Sequence, residues 1–397
     1  MTMNATIETA PRPEAVSNRL TFLMAAACGM VAANIYYAQP LIAPISAALG
    51  LSHEAAGLIV TMTQIGYGTG LLFIVPLGDL VENRALICSI ILLGAAALLA
   101  AAFATHALPF LIAALFIGIG SVAVQVIMPY AAHLAPEAIR GRVVGNVSTG
   151  LMLGIMLARP VSSFVTAASS WHAVFFGSAA LMIVLAAVLW MTLPKRKPVA
   201  RMHYGTLLMS MPHLVRTTPL LRRRALYQAS LFSCFTLFWT VAPLQLAREF
   251  GFTQRGIALF ALAGVAGVFS APIAGRLADR GHSRIATLVA MLLAAFGFLV
   301  TYVGAAGSAL NLACLIVAAI AIDLGAQGNV VLGFRAIFLL GPEHRSRLNG
   351  LYMATFFAAG AAGSAVGAWA FAQGGWALAS AIGLALPIAG LLYAATE

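Results

Sequence analysis

Pro76-Leu-Gly-Asp79-Leu-Val-Glu-Asn-Arg84 lies between two long apolar runs, and Gly275-Arg-Leu-Ala-Asp279-Arg280-Gly-His-Ser-Arg284 holds the same place in the second half of the chain. Asp79 and Asp279 are 200 positions apart, as are Arg84 and Arg284. Arg140-Gly-Arg142-Val-Val-Gly145 and Arg345-Ser-Arg347-Leu-Asn-Gly350 repeat at an offset of 205. Gln39-Pro40-Leu41 is answered by Ala242-Pro243-Leu244. Matches at nearly one offset, each at the same place in the order of apolar runs, mark an internal duplication.

The runs around these loops set the fold class. Of 397 residues, 62% are apolar and 8% charged, against about a quarter charged in soluble domains. Too few charges remain to coat a soluble surface, which excludes soluble enzyme, disordered and fibrous classes. Twelve stretches reach roughly the 20 residues a membrane helix needs, and their unbroken apolar character differs from the alternation of barrel strands. The expectation is an all-α membrane protein, with twelve transmembrane helices in two pseudo-symmetric six-helix halves. Residues 1–18 read as a flexible tail, 19–193 as the first bundle, 194–224 as a basic linker and 225–397 as the second bundle. The tail lacks the apolar core of a signal peptide. Within the linker, Tyr204–Arg216 reads equally as a helix on the membrane surface or as unstructured chain interrupted by Pro212.

The net charge of +11 would suggest nucleic acid in a soluble chain, but its placement says otherwise. Arg84, Arg140, Arg142, Arg276, Arg280, Arg284, Arg345, Arg347 and the linker cations all fall on one side of the spans, while the opposite loops carry only Arg248 and Arg255. That asymmetry places both termini in the cytoplasm and leaves no nucleic-acid partner to expect. Cys28, Cys88, Cys234 and Cys314 lie in apolar runs without zinc or redox spacing, and read as buried small hydrophobes. No metal site or cofactor is expected. The eight histidines fall in loops or at span ends, so no catalytic cluster forms at membrane depth, and no phosphate-binding G-x-x-x-x-G-K-S/T loop occurs. An enzyme and an ATP-driven pump are therefore not the reading.

The duplicated twelve spans, the basic middle loop and the Gly…Asp…Arg loop in both halves resemble the major facilitator superfamily. Asn34-Ile-Tyr-Tyr-Ala-Gln-Pro-Leu41, Arg140-Gly-Arg-Val-Val-Gly145 and Arg345-Ser-Arg-Leu-Asn349 resemble its arabinose-efflux-permease-like, drug:H⁺ antiporter-type branch. The fifth span departs from that branch, reading Gly154-Ile-Met-Leu-Ala-Arg159-Pro160-Val-Ser-Ser where glycines are usual. The fourth, Gly118-Ile-Gly120-Ser-Val-Ala-Val-Gln125, lacks the branch's buried arginine. The resemblance implies a monomeric secondary transporter in the bacterial inner membrane, moving a small organic solute by alternating access in a proton-coupled efflux cycle. An uncoupled facilitator or an importer is the alternative, and a non-transporting receptor a remoter one. The resemblance further implies a cytoplasmic gate of Asp79, Arg84, Arg140 and Arg142, with Asp279, Arg284, Arg345 and Arg347 as its counterpart; ordinary topology-setting charge is the plainer reading. It also implies that spans two, five, eight and eleven form the contact between halves. Gly66/Gly70, Gly150/Gly154, Gly363/Gly367 and Gly264/Gly267 on those spans would let the halves slide there, or serve static packing.

Charges inside the hydrocarbon cost at least about 2.5–3.5 kcal/mol each and so ask for a reason. Asp323, near the middle of span ten with Gln327 one turn on, is the candidate for proton binding. Arg159, toward the far side of span five, is its companion; a purely structural pairing is the other reading. Arg335 is near enough to the span end to snorkel. On the spans that line the cavity in the family stand Asn34, Tyr36, Tyr37, Gln39, Gln125, Tyr227, Gln228, Trp239 and Asn329. A mostly apolar pocket with these few polar groups suits a small amphipathic or aromatic solute. Tyr36 and Tyr37 could equally anchor at the membrane interface.

Overall fold

A computed structural model describes residues 17–198, 203–340 and 345–396. All regular structure among them is helical. Ten helices are long and apolar enough to cross a membrane. The last, Arg347–Ala394, is two spans that meet at Gly374-Gly375, where Gly375 takes φ +60° and ψ −153°, a conformation open to glycine. The first span is made of two shorter pieces, Asn18–Ala33 and Ile42–Leu49, joined through a tight turn at Gln39–Leu41. Pro40 and Pro44 explain the break, since each removes an amide that a continuous helix would use. Twelve spans result, as the sequence predicts.

The duplication is visible in the packing. In the first half, span one (Asn18–Leu49) packs on span five (Arg140–Ala168), two (Leu58–Asp79) on four (Ala107–Leu134), and three (Asn83–Ala102) on four and six (Trp171–Thr192). In the second half, seven (Pro219–Phe250) packs on eleven, eight (Gln254–Asp279) on ten (Ala309–Phe338), and nine (Ser283–Val300) on ten and on twelve, where Gly383 lies against the Phe298 ring. Each pairing in one half has its counterpart in the other. Between the halves, two meets eleven and five meets eight. Apolar side chains such as Phe22, Phe103 and Met191 stay more than two-thirds exposed on the outer surface, as a lipid-facing belt requires.

Span eight is irregular where it matters. Gln254–Ala261 is α-helical, Leu262–Phe269 tightens to a 3₁₀ helix, and Ser270–Asp279 resumes the α-helix. Eight residues of 3₁₀ geometry mid-span are unusual and mark strain or a hinge. Gln254–Phe269 packs against span five, whereas Ser270–Asp279 turns to spans nine and ten. The five–eight contact thus covers the end remote from the basic loops and fades toward the basic end.

The glycine pairs correct one expectation. A Cβ on Gly66 or Gly70 would strike span four, on Gly150 or Gly154 span one, and on Gly363 or Gly367 span seven. These residues therefore let helices approach closely within a half, backbone to backbone at Gly66, Gly150, Gly154 and Gly363. The contact between halves uses Gly57, whose missing Cβ would stand 2.6 Å from Ala368 and from the Ser364 carbonyl, and a Thr61 hydroxyl donating to the Ala361 carbonyl at 3.1 Å. Only Gly264 and Gly267 of the expected pairs face the opposite half, beside Arg159 and Met156.

The linker carries a helix, Tyr204–Thr217, despite Pro212. Leu207, Met211 and Leu214 bury on one face at helical spacing. The helix packs on spans seven and eleven and on the end of span two. Upstream, the linker is tied to the first half. Tyr130 Oη donates to the Pro194 carbonyl at 2.6 Å, Asn83 N to the Arg196 carbonyl at 2.9 Å, and the Arg196 guanidinium to Asn83 Oδ1 at 2.7 Å. Glu82 caps span three by accepting from the amides of Arg84 and Ala85, each at 2.8 Å. Partial burial works against its charge. Amide hydrogen bonds from Ala85, Arg84 and Arg196, with the Arg84 guanidinium nearby, nevertheless hold its carboxyl below the usual range. A depressed pKa contributes stability above the unfolded value and loses it as pH falls through the folded one. Protease cleavage in the linker should therefore accelerate in acid below about pH 4. Glu82→Ala should show faster cleavage already at neutral pH, with a cap loss of about 1 kcal/mol.

Candidate solute site

Two breaks in regularity and a buried acid converge at mid-bundle: the turn of span one, the 3₁₀ stretch of span eight, and Asp323 on span ten. Asp323 sits 14 residues from the start of Ala309–Phe338 and is wholly buried. Trp239 of span seven donates its indole N–H to Asp323 Oδ2 at 2.7 Å. Arg159 reaches in from span five and is 1% exposed. Its Nε donates to Gln39 Oε1 at 2.7 Å, and the tight turn at Gln39–Leu41 brings that amide to face it. The guanidinium carbon lies 4.2 Å from the Trp239 ring centre, 5.1 Å from Phe235 and 5.3 Å from Tyr36.

The two charges form no ion pair within 4.0 Å; Trp239 touches both, its edge to the carboxylate and its face to the guanidinium. Each has one good hydrogen bond and one orphan. Arg159 Nη2, Asp323 Oδ1 and Gln39 Nε2 are buried without a partner. A desolvated cation–π contact is worth about 2 kcal/mol and a charged hydrogen bond about 1.5–3 kcal/mol. These gains are comparable to the membrane cost of each charge, so the site holds its charges while leaving hydrogen-bonding capacity unused. Span eight covers it. A Cβ on Gly264 would stand 2.8 Å from the Trp239 ring and 3.4 Å from Arg159 Nη1, and one on Gly267 would stand 3.2 Å from Asp323 Cβ and 3.4 Å from Gln327.

The other candidates divide. Gln228 donates to the Ala326 carbonyl at 3.3 Å and accepts from Asn329 at 2.9 Å, forming a polar step along spans seven and ten toward the basic end. Gln125 donates to Tyr67 Oη at 3.0 Å and accepts from Asn349 across the half interface at 3.5 Å. Asn34 accepts from Ser178 at 2.5 Å, and Tyr37 reaches the same serine, so both face span six inside the first half. Tyr227 stands edge-on to Tyr393 of the last span, 5.7 Å between ring centres. Sequence reading missed Phe235, which precedes Trp239 by one turn and shares its face, and Gln64, wholly buried with both amide atoms unpartnered.

Among the gate candidates, Arg84 donates to the Trp190 carbonyl at 3.3 Å and stacks on that indole at 4.6 Å. Arg140 donates to the Ala132 carbonyl at 3.0 Å. Arg142 is exposed at the start of span five, and Arg284 opens span nine. Asp279 pairs with Arg335, the residue the sequence left to snorkel, which also donates to the Gly275 carbonyl at 2.6 Å. Arg347 donates to Ser210 of the linker helix at 2.7 Å. Asp79 lines a small crevice with Gln125, Tyr130 and Arg196. The Arg345 side chain lies outside the described residues, as do residues 1–16 of the expected tail.

Twelve spans, packed alike in two halves around a buried polar site to which both halves contribute, have the architecture of a membrane transporter. The sequence pattern of the Major Facilitator Superfamily matches residues 21–322 and 224–396, and the chain belongs to that family. It is 38% identical over 357 residues to the uncharacterized transporter YgaY of Escherichia coli O157:H7, covering 90% of each chain. It is 32% identical to the probable transporter SCO4007 of Streptomyces coelicolor, over 90% of this chain and 83% of that one. In fold it is similar to a bacterial homologue of the human lysosomal transporter Spinster in an inward-facing, occupied conformation (TM-score 0.71, 15% identity, 95% and 94% coverage). It is likewise similar to the nucleoside transporter NupG (TM-score 0.75, 12% identity, 95% and 99% coverage).

Proposed function

We propose that the chain is a proton-coupled exporter of a small organic solute in the bacterial inner membrane, with both termini cytoplasmic. Bundles 19–193 and 225–397, joined by linker 194–224, rock about the buried site and expose it to each side in turn. Asp323 carries the proton, Arg159 anchors the solute, and the charged loops at the basic end latch the halves when that side is shut. The observation that carries this reading is the pair of buried, unpaired charges contributed by opposite halves. Arg159 and Gln39 move with the first bundle, and Trp239, Gly264 and Asp323 with the second. Rocking therefore separates the guanidinium from the indole and uncovers the orphan atoms. Efflux is the direction of the branch the sequence resembles.

The test is a dye-reported internal pH in proteoliposomes, after a solute has been found by screening the purified protein for thermal stabilisation. A solute gradient should drive protons the opposite way. Proton movement in the same direction as the solute would point to import instead, and solute flux with no proton movement would reduce the chain to a facilitator.

A further inference from the structure

We propose that the solute is a zwitterion, a carboxylate and an ammonium on an apolar or aromatic body, bound between Arg159 and Asp323. This rests on the reading of the buried site as the solute site and specifies its chemistry. The two unpartnered atoms are opposite in kind. Arg159 Nη2 is a donor on a side chain 1% exposed, and Asp323 Oδ1 is an acceptor on a side chain 0% exposed. A carboxylate can be neutralised by a proton, but a guanidinium stays charged and can be neutralised only by an anion. A solute that is only an acid would satisfy Arg159 but leave Asp323 holding its proton, with Oδ1 still without a partner. One that is only an amine would satisfy Asp323 and leave Arg159 uncompensated. A zwitterion answers both and brings no net charge into the hydrocarbon.

The surroundings fit the same ligand. Gln39 Nε2, a second orphan donor, stands on the residue that already holds Arg159 Nε. Tyr36, Phe235 and Trp239 provide aromatic walls around the guanidinium. The chemistry also yields exchange. An ammonium at Asp323 takes the place of its proton, which leaves to solvent as the solute enters, and the proton returns once the solute has gone.

The test compares compounds matched in ring and differing in charged groups: phenylalanine, 3-phenylpropionate and phenethylamine, and tryptophan, indole-3-propionate and tryptamine. Calorimetric binding to the purified full chain should favour the zwitterion over its acid and its amine by about tenfold or more. Arg159→Gln should erase the advantage over the amine, and Asp323→Asn the advantage over the acid. Arg159→Lys, which keeps the charge without the fork, should keep part of its advantage, separating recognition from misfolding. An acid or amine that binds as tightly as its zwitterion, six non-binders, or advantages unchanged in both variants would overturn the proposal. If that happens while solute-driven proton exchange persists in liposomes, the carrier reading stands and the zwitterion fails. Zwitterion binding without proton exchange would leave the site and remove the coupling.

Discussion

Arg159→Met should lower solute flux by roughly a hundredfold, because losing a charged hydrogen-bond donor costs about 3 kcal/mol and every 1.4 kcal/mol is tenfold. Methionine keeps the apolar stem against Trp239 and Phe235, so the bundle should still assemble and elute as the wild type does. What disappears is the one cation at the site and the partner of Gln39 Oε1. Arg159→Lys should fall between the two, since an ammonium restores charge but cannot reach Gln39 and a solute anion in one plane. Flux assays on reconstituted protein check the order wild type, lysine, methionine. Equal flux in all three would make Arg159 a packing residue only.

The second large effect is on assembly. Gly118→Leu should leave little folded protein. A Cβ at Gly118 overlaps the Thr63 carbonyl and would stand 2.7 Å from the Tyr67 amide, and a Cβ at Gly66 overlaps the Leu115 carbonyl. Spans two and four thus press backbone to backbone from both sides. A flexible side chain could swing away, but these neighbours are main chain and span two is also packed on span eleven. Overpacking of this kind costs roughly 3 kcal/mol or more. Fluorescence-detected size exclusion should show aggregated or absent protein for Gly118→Leu. Gly177→Ala, where no atom lies within 4 Å of the new Cβ, should be close to wild type.

Much of this was legible in the sequence, and the reasons are physical. Charge is so scarce that its positions mark the loops, and the Asp79/Asp279 echo exposed the duplicated half that the packing repeats. Asp323 and Arg159 stood out because a charge inside an apolar run has few inexpensive explanations. The structure adds that they are joined through Trp239 rather than paired directly. Pro40 and Pro44 mark the break in span one, whereas the 3₁₀ stretch of span eight was not legible, because an unbroken apolar run carries no periodicity that separates 3₁₀ from α-helix. For three of the four pairs, glycine spacing named the right spans but the wrong neighbours, Gly264 and Gly267 alone facing the other half: a small residue signals close approach without saying which helix approaches. Arg335 was left to snorkel because its partner, Asp279, lies 56 residues away on another span.

Coupling of a proton gradient to movement of the solute runs through Asp323 in the proposed cycle. It is tested most directly by uphill transport in proteoliposomes under an imposed pH gradient, with wild type and Asp323→Asn side by side. Asparagine keeps the shape and can still accept from Trp239, so the variant should bind solute and exchange it downhill. Wild type should accumulate solute against its gradient and Asp323→Asn should not. Undiminished pH-driven accumulation in Asp323→Asn would contradict the claim.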